Sequence, residues 1–394
     1  MPAPLFDFLL HGLTGAGYWT MAIYFLVMVQ LTIFTSTIYL HRCAAHRGID
    51  LHWLPQHFFR FWSWLTTAMV TREWVAVHRK HHAKCETAED PHSPRFAGIN
   101  QVLWRGVELY QATRHDKDML EKYGKGCPDD WIERKVYTPH ATLGPTILLF
   151  TSIALFGLPG LFMWALQMAW IPFWAAGVVN GLGHWWGYRN FETTDTATNL
   201  TPWAFWIGGE ELHNNHHAFP SSAKFALRKW EFDISWVVIR GFEALGLAKV
   251  LRVAPQLDVR PNIQVPDSET IKAMMAHRWQ VATDYFATVI KPQVQAKPDR
   301  MPWRLRNGLR SEGRWLPAKH RERMQAWVDS RPQLGTLMEY RQRLLAIYDI
   351  KSAEAETKLE AVRAWCAEAE ASGNAALQQF SARLKGYALV PARA

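Results

Sequence analysis

The stretch "YWTMAIYFLVMVQLTIFTSTIYLHRCAAH", residues 18–46, carries the strongest structural signal in this chain. Its first part, residues 18–40, contains no charged side chain. A helix of that length, rising about 1.5 Å per residue, would cross a hydrocarbon core of about 30 Å. A secretory signal would need a basic segment before it, and residues 1–17 contain no lysine or arginine. We therefore predict a retained transmembrane helix over residues 18–40.

A second apolar block covers residues 143–188 and is interrupted by "GLPG" at 157–160, a combination typical of turns. It predicts a helical hairpin with spans at about 137–156 and 161–184. Lysine and arginine crowd the segments after residue 40 and after residue 188 but are missing from the N-terminus and the turn. This bias predicts an external N-terminus, with the remaining segments on the cytoplasmic side of the inner membrane.

The net charge of +9 has two interpretations. The one that we favour is the excess of basic residues in the cytoplasmic loops of any inner-membrane protein. The other is a basic face that attracts anionic lipid or a phosphorylated substrate. Nucleic acid is not an expected partner, since the basic residues are dispersed and no nucleic-acid module is recognisable.

The four cysteines, at positions 43, 85, 127 and 366, show no spacing typical of a zinc site or a disulfide framework. We expect them to be structurally incidental.

From residue 255 onward the chain becomes charged and rich in alanine and glutamate, with helical periodicity. We predict a membrane-embedded domain over 1–254, with cytoplasmic histidine-rich regions at 41–136 and 185–254. A soluble helical region of unassigned role follows over 255–394.

Three histidine motifs stand out: "HRCAAH" at 41–46, "HRKHH" at 78–82 and "HNNHH" at 213–217. Residues at i, i+3 and i+4 share one face of an α-helix, so the second and third motifs each predict three imidazoles that project together. The histidines of the first motif are five apart and would diverge on a regular helix. We predict that they straddle the helix end, where the chain unwinds toward Gly48.

A single histidine beside a membrane segment is usually a hydrogen-bonded interfacial residue. Here, however, three histidine clusters lie on the predicted cytoplasmic side. Burying so many imidazoles together without a cation would cost free energy and leave their hydrogen bonds hard to satisfy, so we expect metal. A structural zinc site closes at four ligands and a catalytic site uses about three, so eight or more histidines indicate two metals. Imidazole suits iron, copper and zinc alike, which leaves the metal open at this point.

The motifs "YLHRCAAHR", "EWVAVHRKHHAKCETAEDPHSP", "NGLGHWWGYRNFETTDTATN" and "GGEELHNNHHAFPSSAKFALRKWEFDISW" together resemble membrane fatty acid desaturases. They are most similar to the acyl-CoA Δ9 (stearoyl-CoA) type and its bacterial relatives, over about residues 18–252. The resemblance implies an all-α integral membrane protein with three or four transmembrane helices and a cytoplasmic helical cap that holds two non-haem iron ions (Fe2+). The implied ligands are His41, His46, His78, His81, His82, His184, His213, His216 and His217, with Asn180 acting through water.

Neighbouring residues have predicted roles as well. Metal-bound imidazoles usually donate their second N–H to a carboxylate, so Glu73, Asp90 and Glu210 are candidates; surface salt bridging is the alternative. The aromatic stretch at 58–74 ends in Trp74 and either walls a substrate channel or anchors the protein at the lipid interface. His92 is not assigned as a ligand, because the implied set is already complete.

The implied activity is O2-dependent desaturation, which places a cis double bond at Δ9 in an acyl chain carried on CoA or in a membrane phospholipid. Electrons would come from a separate donor such as a reductase or ferredoxin, because no cytochrome b5-like HPGG motif is present. One alternative is a histidine-motif membrane hydroxylase. A more distant alternative is a non-catalytic membrane protein that stores or transports metal.

Overall fold

The computed structural model describes residues 3–295, 301–351 and 355–390. Contacts within it divide the chain into two compact units. The N-terminal unit comprises the residues up to 189 together with 195–254, and the C-terminal unit comprises 190–194 and the residues from 255 onward. All the metal-ligand candidates fall in the N-terminal unit.

The N-terminal unit consists of helices and two small sheets, in which β1 pairs antiparallel with β4 and β2 pairs parallel with β3. Its helices are α1 Ala3–His11, α2 Tyr18–Ala45, α3 Trp53–Thr67, α4 Thr71–Lys84, α5 Ile99–Thr113, α6 Lys117–Tyr123, α7 Leu143–Phe156, α8 Leu158–His184, α9 His213–Ala218 and α10 Ile234–Ala244, with a π-helical turn at Glu133–Tyr137. Its strands are β1 Ile49–Leu51, β2 Trp203–Ala204, β3 Phe232–Asp233 and β4 Ala248–Val250.

Helices α2 and α8 are long and apolar enough to cross a membrane, by length and composition, and α7 is a shorter apolar helix. Because α7 begins at Leu143, the helix predicted from residue 137 starts too early. Pro139 lies in the turn before it and has no N–H to donate within a helix. Pro145 is tolerated because it lies in the first turn, where its missing N–H has no intrahelical acceptor.

The predicted hairpin between α7 and α8 is confirmed, and Gly157 forms its turn. Gly157 has a φ of +66°, and a Cβ atom there would lie 2.4 Å from the carbonyl oxygen of Phe8. The segment after α1 also contacts the end of α7, where the N–H of Leu13 donates to the carbonyl of Ala154 at 2.9 Å. The close approach and the positive φ together require glycine at this turn.

The C-terminal end of α2, Thr35–Ala45, is a π-helix. The N–H of His46 donates to the carbonyl of His41 at 3.1 Å, the i to i+5 pattern of that helix. On an α-helix, residues five apart would point about 140° apart, whereas here the two ring centroids are 5.0 Å apart. As predicted, the pair straddles the end of the helix, with His41 inside it and His46 as its C-cap. The prediction did not include the π-helical winding that brings the two rings together.

Two arginines of the histidine motifs fix the end of α2. Arg42 is buried and donates to both carboxylate oxygens of Asp233, at 3.0 and 3.1 Å. Arg79 donates to the carbonyls of Ala44 and Ala45, both at 2.9 Å. Such carbonyls at a helix end lack intrahelical partners, so Arg79 satisfies them and ties α4 to α2.

The C-terminal unit is helical, as predicted, and has its own apolar core. Strands β5 and β6 form an antiparallel pair within it. One buried polar group of this core is satisfied within it: the hydroxyl of Tyr285 donates to the carbonyl of Leu337 at 2.7 Å. Its elements are β5 Leu257–Val259, α11 Ser268–Ala276, α12 Arg278–Tyr285, α13 Lys291–Gln295, α14 Trp303–Arg310, α15 Ala318–Asp329, α16 Pro332–Ala346, α17 Ala355–Ala371, α18 Ala375–Lys385 and β6 Tyr387–Leu389, with a π-helical turn at Phe286–Ile290 and a 3-10 turn at Ile347–Asp349.

Candidate metal centre

Helices α4 and α9 carry the second and third histidine motifs, as the i, i+3, i+4 spacing predicts. Burial with neighbouring imidazoles lowers the pKa of His78 and His82 well below the ordinary value. The same causes lower the pKa of His213 and His216 on α9. These imidazoles are therefore neutral and available as ligands near pH 7.

The first group of ligand atoms joins three elements. It consists of His41, His46, His78, His82 and His216, whose ligand nitrogens all lie within 4.8 Å of one another. The Nε2 atoms of His46 and His78 are 2.7 Å apart. The Nε2 atom of His216 lies 3.0 Å from that of His41 and 2.9 Å from that of His82.

The second group lies beside the first and includes His81, Cys85, His184 and His217, with ligand atoms again within 4.8 Å of one another. His213 joins it through His184, since their Nε2 atoms are 2.9 Å apart. The thiol of Cys85, which the sequence analysis treats as incidental, thus lies among imidazoles.

Four histidines of the two groups share one feature: Nδ1 of each contacts a carboxylate. Because that nitrogen carries the proton and donates it, Nε2 is left with its lone pair directed away from the carboxylate. This arrangement orients each ring and sets its tautomer. The four pairs are His41–Glu210 at 2.8 Å, His81–Asp90 at 2.9 Å, His184–Glu86 at 3.2 Å and His217–Asp195 at 3.0 Å.

The carboxylates of these pairs are ionised. Burial by itself would raise the pKa of Asp90, but the contact with His81 outweighs it and holds that pKa well below its ordinary value. His217 does the same for Asp195. Burial dominates for His217 itself, whose pKa falls to about 4 although Asp195 opposes the shift.

The ring nitrogens fit metal ions better than they fit hydrogen bonds to one another. One ring N–H of His216 cannot donate to both His41 and His82, and its Nδ1 is buried without a hydrogen-bond partner among the described residues. Nδ1 of His213 and Nε2 of His217 are also buried without a hydrogen-bond partner among the described residues. Nitrogens about 2.1 Å from one metal ion, at right angles, lie about 3.0 Å apart, as these do. Both groups could therefore bind metal.

The remaining predicted residues have different positions. Asn180, at the end of the π-helical part of α8, lines a cavity together with His213. Trp74 lines the same cavity and stacks on His78, with ring centroids 4.9 Å apart and planes 10° apart. Phe58, earlier in the same aromatic stretch, is exposed and does not line this cavity.

Glu73 has other partners than the predicted ones. It lies in the first turn of α4, and its carboxylate faces Arg114 at 3.4 Å and His115 at 3.5 Å. Burial raises the pKa of this carboxyl group, although both partners oppose the shift. The geometry gives Glu73 an ion pair at the cavity wall, because it lies five residues before His78 and so on another face of the helix.

Several residues of the site were not predicted from the sequence. Glu86 follows the second motif closely and could have been considered for that reason. Asp195 lies in the quoted stretch that also contains His184, but no spacing along the chain pairs it with His217, which only the folded chain does. His92 is buried and stacks on His81, with ring centroids 4.3 Å apart, and burial lowers its pKa to about 3.

The cavity beside the two groups has a volume of about 170 Å³. Its wall includes His41, His78 and His213 together with apolar residues such as Ile33 and Ile171. An apolar cavity of roughly this size accepts about six carbon atoms. It can therefore hold a segment of an alkyl chain directly against the histidines.

Comparisons with known proteins show which family the chain belongs to. A family profile described as fatty acid desaturase matches residues 17–234. The Delta-9 desaturase-like 4 protein of Arabidopsis thaliana is 31% identical over 245 residues, which cover 59% of this chain and 76% of that protein. The icosanoyl-CoA 5-desaturase of Limnanthes douglasii is 33% identical over 219 residues, 54% of this chain and 59% of that protein. The sn-1 stearoyl-lipid 9-desaturase of Synechocystis sp. is 32% identical over 226 residues, 56% of this chain and 68% of that protein. The chain therefore belongs to the fatty acid desaturase family.

Proposed function

We propose that this protein is a diiron desaturase that places a cis double bond, at C9, in a saturated fatty acyl chain with O2 and two electrons. Family membership supports acyl desaturation. Two of the relatives above are named for desaturation at position 9, which supports that position. The acyl chain would be carried on CoA or in a phospholipid, since relatives are named for both carriers.

One observation carries the proposal: two groups of inward-facing imidazoles lie beside one apolar cavity. His41 and His78 of the first group and His213 of the second all contribute to its wall. An alkyl segment held there would meet both groups at once. We assign the first iron to His41, His46, His78, His82 and His216, and the second to His81, His184, His213 and His217, with Asn180 acting through water.

Iron held by imidazole nitrogens supplies, from O2, the oxidant that an unactivated methylene requires. The protein itself positions and shields the substrate. Ile33, Ile171 and Val179 give the cavity an apolar wall that keeps water from the reacting carbons and aligns the chain. Trp74, stacked on His78, extends that wall beside the ligands.

The protein would span the inner membrane through α2, α7 and α8, with the metal centre on the cytoplasmic side. The apolar composition of these helices and the lysine and arginine bias support this arrangement. Helix α1, at nine residues, is too short to cross a bilayer. Electrons would come from a separate donor such as a reductase or ferredoxin.

The test is gas chromatography with mass spectrometry of lipids from aerobic cells that express the chain together with a reductase system. We expect a new cis-monoene, which locates the double bond, and its loss in His216→Ala. His52→Ala, at an exposed histidine outside both groups, is the matched control and should retain the product. An alcohol instead of an alkene would identify a hydroxylase. Metal binding without any oxidised product in the wild type would contradict catalysis.

A further inference from the structure

We propose that the C-terminal unit is a positioning element of the second metal site, on which it acts through the loop of residues 190–194. By their contacts these five residues belong to the C-terminal unit, although the chain on either side of them belongs to the N-terminal unit. The inference rests on the proposed diiron function. It gives residues 255–394 a role that family membership does not supply, because the matching family profile ends at residue 234.

Three contacts within the C-terminal unit hold this loop. The N–H of Glu192 donates to the hydroxyl of Thr283, on α12, at 2.9 Å. The carboxylate of Glu192 is buried and lies 3.4 Å from Nε of Arg310, on α14. The guanidinium of Arg314 donates to the carbonyl of Thr194 at 3.1 Å. The backbone of the loop is therefore fixed at its middle and at its last residue.

The contact at the last residue of the loop also restrains the next residue, Asp195. The carbonyl of Thr194 and the N–H of Asp195 belong to one planar peptide unit, so Arg314 fixes the orientation of that plane. The carboxylate of Asp195 lies 3.0 Å from Nδ1 of His217. Such a contact is no longer a hydrogen bond at about 3.6 Å. A small displacement of the loop would therefore release the ring of His217.

The residue after Asp195 contacts a second histidine of the same group. The hydroxyl of Thr196, which is buried, donates to the carbonyl of His184 at 2.7 Å and also contacts the carboxylate of Glu86. That carboxylate in turn accepts from Nδ1 of His184 at 3.2 Å. The two residues that follow the loop thus orient two ligands, His217 and His184, and both belong to the second group.

The carboxylate that orients the first group comes from a different part of the chain, since Nδ1 of His41 contacts Glu210. We therefore expect the loop to affect only the second ion. The alternative is that Arg189 holds Asp195 without help from the loop, because its guanidinium donates to the carbonyl of Asp195 at 3.0 Å. Only our inference makes the second site sensitive to residues of the C-terminal unit.

The substitution Thr283→Val in the full chain tests the inference, because it leaves the N–H of Glu192 without its acceptor. Thr288→Val is the matched control: both hydroxyls donate to the carbonyl four residues earlier, at 2.7 Å, but only that of Thr283 also accepts from the loop. We expect Thr283→Val to release the second ion at a chelator concentration about 10-fold lower than the wild type does, since carboxylates behind metal-bound histidines contribute at least that much. The first ion should be retained.

Iron Mössbauer spectroscopy identifies which ion responds. In Thr283→Val only one of the two iron signals should change, whereas a general loss of stability would alter both. Thr283→Ser keeps the hydroxyl and should restore the wild-type spectrum and metal retention.

A second variant, Arg314→Ala, provides a readout that does not depend on metal. Arg314 is exposed, so its truncation leaves the core of the unit intact. In the metal-free full chain, amide hydrogen exchange of residues 190–196 should be faster in Arg314→Ala than in the wild type. Arg343→Ala removes another exposed arginine, which pairs with Glu368, and should leave this exchange unchanged.

The outcomes separate this inference from the proposed function. Wild-type retention of both ions in Thr283→Val and Arg314→Ala would overturn the inference and leave the desaturase proposal standing. Simultaneous loss of both ions in these variants would also overturn it, because the effect would then be one on general stability. A wild-type chain that binds no metal would contradict both proposals.

Discussion

Four histidines of the candidate metal centre are oriented by carboxylates on Nδ1. Removing such a carboxylate would leave a buried N–H without an acceptor, which costs about 1–3 kcal/mol, and would allow the ring to turn. Two of the four carboxylates, Asp90 and Glu210, were predicted from their position beside a motif. The other two, Glu86 and Asp195, were not predicted, and their contacts with His184 and His217 identify them.

We predict that Asp195→Ala weakens metal binding 10- to 100-fold, because carboxylates behind metal-bound histidines contribute about that much. The measurement is metal content per chain after dialysis against increasing chelator. Glu89→Ala is the control, since Glu89 is exposed and pairs with Lys84 rather than with a histidine. Equal metal retention in the two variants would contradict a positioning role for Asp195.

At the scale of elements, two departures from regular geometry position the site. The π-helical end of α2 places His41 and His46 on one side, although their spacing suits no α-helix. The turn at Gly157 lets α7 and α8 pack closely while α1 rests against it. Both features depend on local backbone geometry that a side-chain pattern does not encode.

We predict opposite effects for two glycine substitutions. Gly157→Ala should lower stability by about 1–3 kcal/mol, because of its positive φ and the nearby carbonyl of Phe8. Gly241→Ala should raise it by about 0.5–1 kcal/mol, since Gly241 lies within α10 and a Cβ there meets no atom within 4 Å. Thermal unfolding in detergent measures both changes. A higher midpoint for Gly157→Ala would show that the turn differs from the one described.

At the scale of the whole molecule, the chain forms two units, and the C-terminal unit has a core of its own. That core extends from Ile271 on α11 to Tyr387 on β6. Helices α17 and α18 contribute Trp365 and Phe380, whose rings lie 5.9 Å apart. A core that closes on itself in this way is typical of an independently folding domain.

We predict that the isolated fragment 255–394 folds by itself without residues 190–194 of its unit, because the described apolar core, from Ile271 to Tyr387, lies within it. Circular dichroism should show a helical spectrum and one cooperative thermal transition. The fragment 255–350 lacks α17 and α18 and should be unfolded, because much of the core is then missing. A gradual, non-cooperative transition of the longer fragment would contradict the prediction.

The local pattern of the sequence determined the helices that carry His78, His81 and His82 and the third motif, because helical periodicity alone puts such residues on one face. It also determined the apolar helices and the hairpin turn, since long uncharged stretches and a glycine–proline turn are local signals. These helices and the turn can be predicted without knowing which residues far apart in the chain are in contact.

Only the tertiary structure decided which histidines share a group, which carboxylates orient them, and that Cys85 lies among them. It also showed that Glu73 faces Arg114 rather than a histidine. These outcomes depend on residues far apart in the chain, such as Asp195 and His217, or on the winding of a helix end. Contacts of this kind arise from packing between elements, and spacing along a sequence does not specify them.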